Sequence, residues 1–285
     1  MIHSFLASNL DRYAVIGNPI SHSKSPFIHA LFAEQTGEPI TYEHRIAPID
    51  GFHENIRKFI KEGGRGANIT VPFKLNAYTI SDKLSIRAAD AGAVNTLSFT
   101  KGCIFGDNTD GIAIVRDIEL RLGVSLCGTR ILLLGAGGAA RGIIMSILNC
   151  KPRLIMIVNR TLSKAQSLVY KFSKAAHNVG CVISDGRPDM VCTEPYDVII
   201  NATACSLDSR LPDCNISVFG KTSLAYDMMY GQQSTTVFTR HAASLGARVS
   251  DGLGMLVEQA AESFKIWRGI RPECAPVLAA LSKHI

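Results

Sequence analysis

At residues 129–141 the chain runs T-R-I-L-L-L-G-A-G-G-A-A-R, and no other segment restricts its architecture so strongly. The aliphatic run at 129–134 predicts a strand. Glycines at 135, 137 and 138 then force a tight turn, and the residues to about 148 continue as a helix. A second strand at 154–158 and a second helix at 162–174 follow, making a strand–helix–strand–helix unit. Further strands at about 179–183, 196–200, 223–227 and 247–249 extend it. Alternation of this kind is the signature of an α/β layer structure.

The same alternation begins earlier in the chain. Residues 13–16 form a short apolar run that stops at Gly17-Asn18-Pro19, a buried strand and a turn. Residues 26–35 carry helix signals, with Ser25 as N-cap, Pro26 at the first position and Gly37 past the end. A strand at 41–46, a helix at 52–61 and a strand at 67–71 follow. Residues 93–100 and 103–105 then form a hairpin turning at Lys101-Gly102. A helix at 111–122, with Ile112, Val115, Ile118 and Leu122 at helical spacing, ends at Gly123 and joins two domains. The tail is helical over 255–267 and 272–283. A length of 285 residues allows one large or two medium domains.

The glycine turn has a chemical reading. Gly135 permits the tight turn, Gly137 lets backbone N–H groups approach a pyrophosphate, and Ala140 is small enough for helix–strand packing. Such turns also occur without ligands. Here the flanking strand, helix and second strand are all present, which marks a dinucleotide site. At the end of the second strand stands Asn159-Arg160-Thr161, with Lys164 one turn later and no acid to take a ribose 2′-hydroxyl. A carboxylate would repel a 2′-phosphate, whereas Arg160 can hold one through charge-assisted bonds worth roughly 1.5–3 kcal/mol each. The alternative makes Arg160 a solvated strand end. NADP is the expected cofactor.

Bulk properties exclude other classes. The net charge of +6 is scattered, with no run of five or more Lys and Arg, so no nucleic-acid partner is expected. The eight cysteines contain no C-x-x-C pair and the eight histidines no H-E-x-x-H, so neither a disulfide framework nor a metal site is expected. Residues 1–12 lack the pattern of a signal peptide. The most apolar window, 130–148, is broken by four glycines and Arg141 and is no membrane span. A cytoplasmic protein is the consistent reading.

Four segments of the first hundred or so residues place polar groups where packing does not ask for them. In S-H-S-K-S-P, Ser23 and Ser25 are two apart, so an extended chain points both hydroxyls the same way. They either serve a polyol or anionic ligand together, or Ser25 only caps a helix. In N-I-T-V-P-F-K, Pro72 reads as the first position of a helix and Lys74 as near its third. A lysine in a first turn opposes the helix dipole, so helix stability does not explain it. In A-V-N-T-L, a polar pair interrupts an apolar strand. In G-D-N-T-D-G, Asp107 or Asp110 either caps the following helix or serves chemistry.

Taken together, G-N-P-I-S-H-S-K-S-P, N-I-T-V-P-F-K, A-G-A-V-N-T, G-D-N-T-D-G, G-A-G-G-A-A-R, N-R-T and D-G-L-G-M-L-V-E-Q-A-A resemble the shikimate dehydrogenase family over nearly the whole chain. The resemblance implies a two-domain α/β protein. Residues 1–110, completed by the helices of 253–285, would be the substrate-binding domain, and 111–252 a Rossmann-like NADP-binding domain, with a cleft between them. It implies NADPH-dependent reduction of 3-dehydroshikimate to shikimate, and a monomer or homodimer. Lys74 and Asp110 would be the catalytic pair. Ser23, Ser25, Thr70, Asn95, Tyr230 and Gln259 would hold the substrate. Gly135, Ala136, Gly137, Gly138, Ala139, Asn159, Arg160, Thr161, Lys164, Met228 and Gly252 would lie along NADP. Two stretches depart from the family pattern: I-N-A-T-A-C-S at 200–206, where the family has I-N-A-T-S and soon a glycine, and Gly231-Gln232-Gln233, where it has proline. A quinate/shikimate dehydrogenase of broader specificity and a non-catalytic NADP-binding regulator are the alternatives.

Overall fold

Two six-stranded sheets organise the chain in a computed structural model that describes residues 10–188, 194–213, 216–231 and 235–283. Contacts divide it into two units. One comprises the described residues through Thr109 together with Val257–Leu281, and the other begins at Asp110 and runs through Leu256.

In the first unit the strands are β1 (Asp11–Gly17), β2 (Ile40–Ile46), β3 (Gly64–Ile69), β4 (Lys83–Leu84), β5 (Thr96–Thr100) and β6 (Cys103–Asp107), in the order β2-β1-β3-β5-β6-β4. β1 runs parallel to β2 and β3, whereas β5 is antiparallel to both β3 and β6. Helices α1 (Ser25–Thr36), α2 (Phe52–Lys61), α3 (Lys74–Ile80) and α4 (Ile86–Ala91) connect them. The core gathers Phe52, Ile56 and Phe59 of α2 with Ile69, Phe73 and Leu97. Lys101 (φ 52°) and Gly102 (φ 74°) are both left-handed, the pairing that matches a two-residue turn to strand twist, so the hairpin turns where expected.

The second unit is wholly parallel. Its strands are β7 (Arg130–Leu134), β8 (Leu154–Val158), β9 (Val182–Gly186), β10 (Val198–Asn201), β11 (Leu224–Asp227) and β12 (Arg248–Ser250). They lie in the order β12-β11-β10-β7-β8-β9. Counted from β7, that is 3-2-1-4-5-6 read from the far edge, the doubly wound dinucleotide-binding order, with its switch point between β7 and β10. β7 explains why such a strand must be aliphatic throughout. Ile131 and Leu133 enter one core with α6 (Gly138–Asn149) and α7 (Leu162–Asn178), and Leu132 and Leu134 enter a second core on the opposite face. The preceding helix α5 (Asp110–Arg116) packs on α6, and α8 (Val237–Ser244), which periodicity did not reveal, covers the second face with Phe238 and Ala242.

The chain ends in α9 (Leu253–Arg268) and α10 (Cys274–Leu281). From Val257 onward α9 belongs to the first unit, where Trp267 stacks on Tyr13 at 4.5 Å and donates to Leu97 O at 3.1 Å.

Three local expectations need correction. Ser25 is the first residue of α1 rather than its N-cap; Lys24 caps, and the Ser25 N–H bonds the Ser23 hydroxyl at 3.3 Å instead. Pro72 is not the first position of α3. A turn closed by Phe73 N–H to Thr70 O (2.9 Å) holds it, and the helix starts at Lys74 itself. The helix expected over 111–122 is not continuous α-helix: after Arg116 it widens into a π-turn, Asp117–Arg121, with Leu122 N–H bonded to Asp117 O at 3.0 Å. Buried Asp117 has partners on other elements, and the wider turn holds it there.

Candidate functional site

In the first unit, strand direction collects the polar segments. β1 and β3 are parallel, so their C-terminal ends share one sheet edge. β5 opposes β3 and β6 opposes β5, which brings the start of β5 and the end of β6 to that edge. Ser23 and Ser25 follow β1, Thr70 and Lys74 follow β3, Asn95 precedes β5, and Asp107-Asn108-Thr109 ends β6. Backbone bonds tie the segments together, from Ile69 N–H to Asn95 O (2.7 Å) and from Val94 N–H to Lys74 O (3.0 Å). Thr70 donates its N–H to Ile16 O at 3.0 Å.

Behind them runs a buried hydrogen-bond network. Ser23 Oγ donates to Ser25 Oγ at 3.1 Å. Tyr42 donates its hydroxyl to Asn68 Oδ1 at 2.8 Å, and Asn68 Nδ2 donates to Ser263 Oγ on α9 at 2.9 Å. Ser263 in turn bonds Gln259 O at 2.9 Å, one turn earlier on α9. Asn95 Oδ1 accepts from Thr109 N–H (2.8 Å) and Thr96 Oγ1 (2.9 Å), and its amide donates to Thr109 Oγ1 at 2.9 Å. Burial pushes the Tyr42 phenol well above its ordinary range, with Ser25 offsetting part of that. Tyr42 and Ser263 stood in no motif, and Asn68, Thr96 and Thr109 stood in motifs without a role. A polar residue inside an aliphatic strand was the available signal for Asn68.

Asp107 resolves one of the open alternatives. Arg87 grips it with Nε at 2.6 Å and Nη2 at 3.0 Å, Ser85 donates at 2.6 Å, and the Asn108 N–H adds 2.7 Å. Its carboxylate is therefore a structural tie. Asp110 is the first residue of α5 and 5% exposed.

In the second unit the glycine turn sits at the end of β7. Gly135 has φ 107° and donates its N–H to Val158 O at 2.7 Å. A Cβ there would lie 3.2 Å from Ala202 O and 3.1 Å from the Thr203 methyl. Gly137 caps α6 without a side-chain bond, a Cβ on it would meet nothing within 4 Å, and no acid occupies the first turn. Open N–H groups and a positive helix end without a competing carboxylate suit a pyrophosphate. Ala140 is fully buried, as the helix–strand contact requires.

Beyond β8, Asn159 Nδ2 bonds Thr161 O at 2.8 Å and shapes the turn into α7. Arg160, Thr161 and Lys164 are exposed there, again with no acid in the first helical turn. These residues fit a phosphorylated dinucleotide. Met228 and Gly252 lie in contact: a Cβ on Gly252 would collide with Met228 O, so only glycine permits the approach. Tyr230 is half-buried next to Gly231, whose N–H bonds Asp251 Oδ2 at 3.3 Å. Gln232 and Gln233 lie outside the described residues, as do Cys192, Cys214, His3 and His284. Among the described residues no cluster of metal-ligating side chains occurs, and no helix is long and apolar enough to cross a membrane.

Three family models match, described as the shikimate dehydrogenase substrate binding domain (residues 15–97), shikimate / quinate 5-dehydrogenase (118–208) and the shikimate 5'-dehydrogenase C-terminal domain (252–281). A shikimate dehydrogenase (NADP(+)) of Cupriavidus taiwanensis is 52% identical over 278 residues, covering 96% of this chain and 94% of its own. The chain belongs to the shikimate dehydrogenase family. One of Cupriavidus necator is 53% identical over 275 residues, covering 95% and 93%. Among solved structures, an Ael1 enzyme from Pseudomonas putida is similar at TM-score 0.86 and 43% identity, covering 95% of this chain and 98% of its own. A shikimate 5-dehydrogenase of Thermus thermophilus in complex with NADP(H) and shikimate is similar at TM-score 0.83 and 29% identity, covering 97% and 100%. In this member of the shikimate dehydrogenase family the departure at 204–206 lies in a 3-10 turn, Cys205–Asp208, directly after the Asn201–Thr203 segment that packs on the glycine turn.

Proposed function

We propose that this chain reduces 3-dehydroshikimate to shikimate, reversibly, with NADPH, in the supply of chorismate and the aromatic amino acids. The polar sheet edge of the first unit is the observation that carries the reading. The segments that carry Ser23, Ser25, Thr70, Lys74 and Asn95 all reach that edge, which supports a donor and acceptor set suited to a small polyol carboxylate. The uncapped turn at Gly135–Ala139 and the exposed Arg160 and Lys164 support NADP over NAD.

Reduction of a ring ketone requires a hydride at the carbonyl carbon and a proton at its oxygen. NADPH, when bound, supplies the hydride. Lys74 gives the proton to the developing alkoxide and takes it back in the reverse direction. Asp110, almost fully buried, is the second catalytic residue in this reading. Ser23, Ser25, Thr70, Asn95, Gln259 and Tyr230 hold the hydroxyls and carboxylate of the substrate. Asn159, Thr161, Met228 and Gly252 line the cofactor with the glycine turn. In this reading residues 1–110 with 253–285 serve the substrate and 111–252 the cofactor, in a cytoplasmic monomer or homodimer.

The test mixes purified protein with shikimate or quinate, each with NADP or NAD, and follows absorbance of the reduced nicotinamide. Turnover confined to shikimate and NADP is expected. Comparable rates with quinate or NAD move the chain to the broader dehydrogenase class, and no turnover from folded protein overturns the enzyme reading.

A further inference from the structure

Asp227 ends β11 fully buried, and four donors converge on its carboxylate. Ser206 Oγ and Thr236 Oγ1 each donate to Oδ2 at 2.6 Å. Asn201 Nδ2 donates to Oδ1 at 3.1 Å, and the Met229 N–H at 3.0 Å. These donors come from the end of β10 (Asn201), the turn after it (Ser206), the backbone after β11 (Met229) and the cap of α8, where Thr236 also accepts from the Thr239 N–H at 3.1 Å. Asn201 continues the chain of contacts, since its Oδ1 accepts from Thr203 N–H (3.0 Å) and Thr203 Oγ1 (2.6 Å), and Thr203 packs on Gly135. A single carboxylate thus joins the altered turn after β10, the Met229 backbone and the cap of α8 to the end of β10 that packs on the glycine turn. Burial raises the Asp227 pKa, and its four hydrogen bonds offset part of that.

In a doubly wound sheet one half of a dinucleotide lies over the strands on each side of the switch point. The glycine turn and Arg160 take the phosphates and the adenosine side over β7 and β8. The other half falls over the ends of β10 and β11, which are the ends Asp227 organises. We propose that Asp227 is a positioning residue for hydride transfer, clamping the turn after β10 through Ser206 and the cap of α8 through Thr236 so that the ends of β10 and β11 hold the nicotinamide half of NADP. Ser206 is the member of the clamp that belongs to the altered loop, and its hydroxyl is the removable contact. The assignment rests on the proposed reading that the second unit binds NADP.

Ser206→Ala, Ser206→Thr and Asp227→Asn, made in the full chain, test it. Binding of NADP is compared with binding of adenosine 2′,5′-bisphosphate, which carries the adenosine half alone, and kcat and both KM values are measured alongside. Ser206→Ala is expected to weaken NADP about tenfold, the worth of one charge-assisted bond, and to lower kcat. Affinity for the bisphosphate and the KM for shikimate stay within about twofold, and Ser206→Thr restores NADP affinity. Asp227→Asn is expected to lose more than Ser206→Ala, because its amide offers one acceptor oxygen in place of two. Equal loss of bisphosphate and NADP binding, or NADP affinity unchanged in Ser206→Ala, overturns the proposal. Because binding is read separately from turnover, selective loss of NADP affinity supports the clamp even if the wild-type protein does not oxidise shikimate.

Discussion

Tyr226 donates its hydroxyl to Asp117 Oδ2 at 2.6 Å, and Arg121, one turn along, pairs with the same carboxylate while reaching Ser250 Oγ at 3.0 Å. Tyr226 and the Asp117 side chain are out of solvent. The π-turn is thereby fastened to β11 and β12. The start of α9 is fitted to it as well, since a Cβ on Gly254 would strike the Asp117 carboxylate. Tyr226→Phe removes one of the two donors to Asp117 Oδ2, leaving Arg121 Nη2 at 2.9 Å, and should cost about 1–3 kcal/mol of stability, the worth of a hydrogen bond to a charged group. Urea denaturation checks it, with a lower midpoint at unchanged slope as the expected result.

Lys74→Ala should lower kcat by about two to four orders of magnitude, the usual worth of a general acid–base group. NADPH binding should hardly change, because Lys74 begins α3 in the first unit and the glycine turn belongs to the second. Titration of NADPH fluorescence beside steady-state kinetics separates the two. Parallel loss of cofactor binding would remove Lys74 from the proton-transfer role.

Arg160→Ala should raise the KM for NADP by roughly tens to hundreds of fold, since each charge-assisted contact to a 2′-phosphate is worth about 1.5–3 kcal/mol. The KM for NAD should stay close to its wild-type value, as the exposed Arg160 has no 2′-phosphate to meet there. A matched rise for both cofactors would show that the arginine shapes the loop instead.

His29 is fully buried on α1, stacked on Tyr42 with ring centroids 4.1 Å apart, and burial lowers its pKa to about 3, with Asn68 offsetting part of the shift. The unfolded chain takes up a proton near pH 6.5 that the folded protein refuses until about pH 3. Stability from this group is therefore complete above about pH 6.5 and is lost as the pH falls toward 3. His29→Phe should flatten the decline of Tm between about pH 6.5 and 4.5. An unchanged slope would show that other groups dominate the acid response.

Local chemistry made much of the molecule readable in advance. The second strand of the glycine unit occupies 154–158 and α2 occupies 52–61 as expected, because an aliphatic run and an amphipathic period ended by glycine carry their own instructions. The aliphatic run, glycine turn and helix at 129–148 likewise needed no distant partner to be recognised. The ties that hold the polar groups in place were not legible. Asn68 bonds Ser263 across 195 residues of chain and Tyr226 bonds Asp117 across 109, and no periodicity encodes such pairings. Ser25 is the first helical residue instead of the cap, its own N–H held by the Ser23 hydroxyl, and the helix after Asp110 widened where a buried carboxylate had partners elsewhere. Sequence by itself determined the longer strands and helices and the glycine turn, since short-range sterics and burial decide those, while short elements such as β4, α4 and α8 carried too little period to be read. Tertiary structure alone decided which buried polar groups meet, because a hydrogen bond out of water depends on the placement of partners brought from distant parts of the chain.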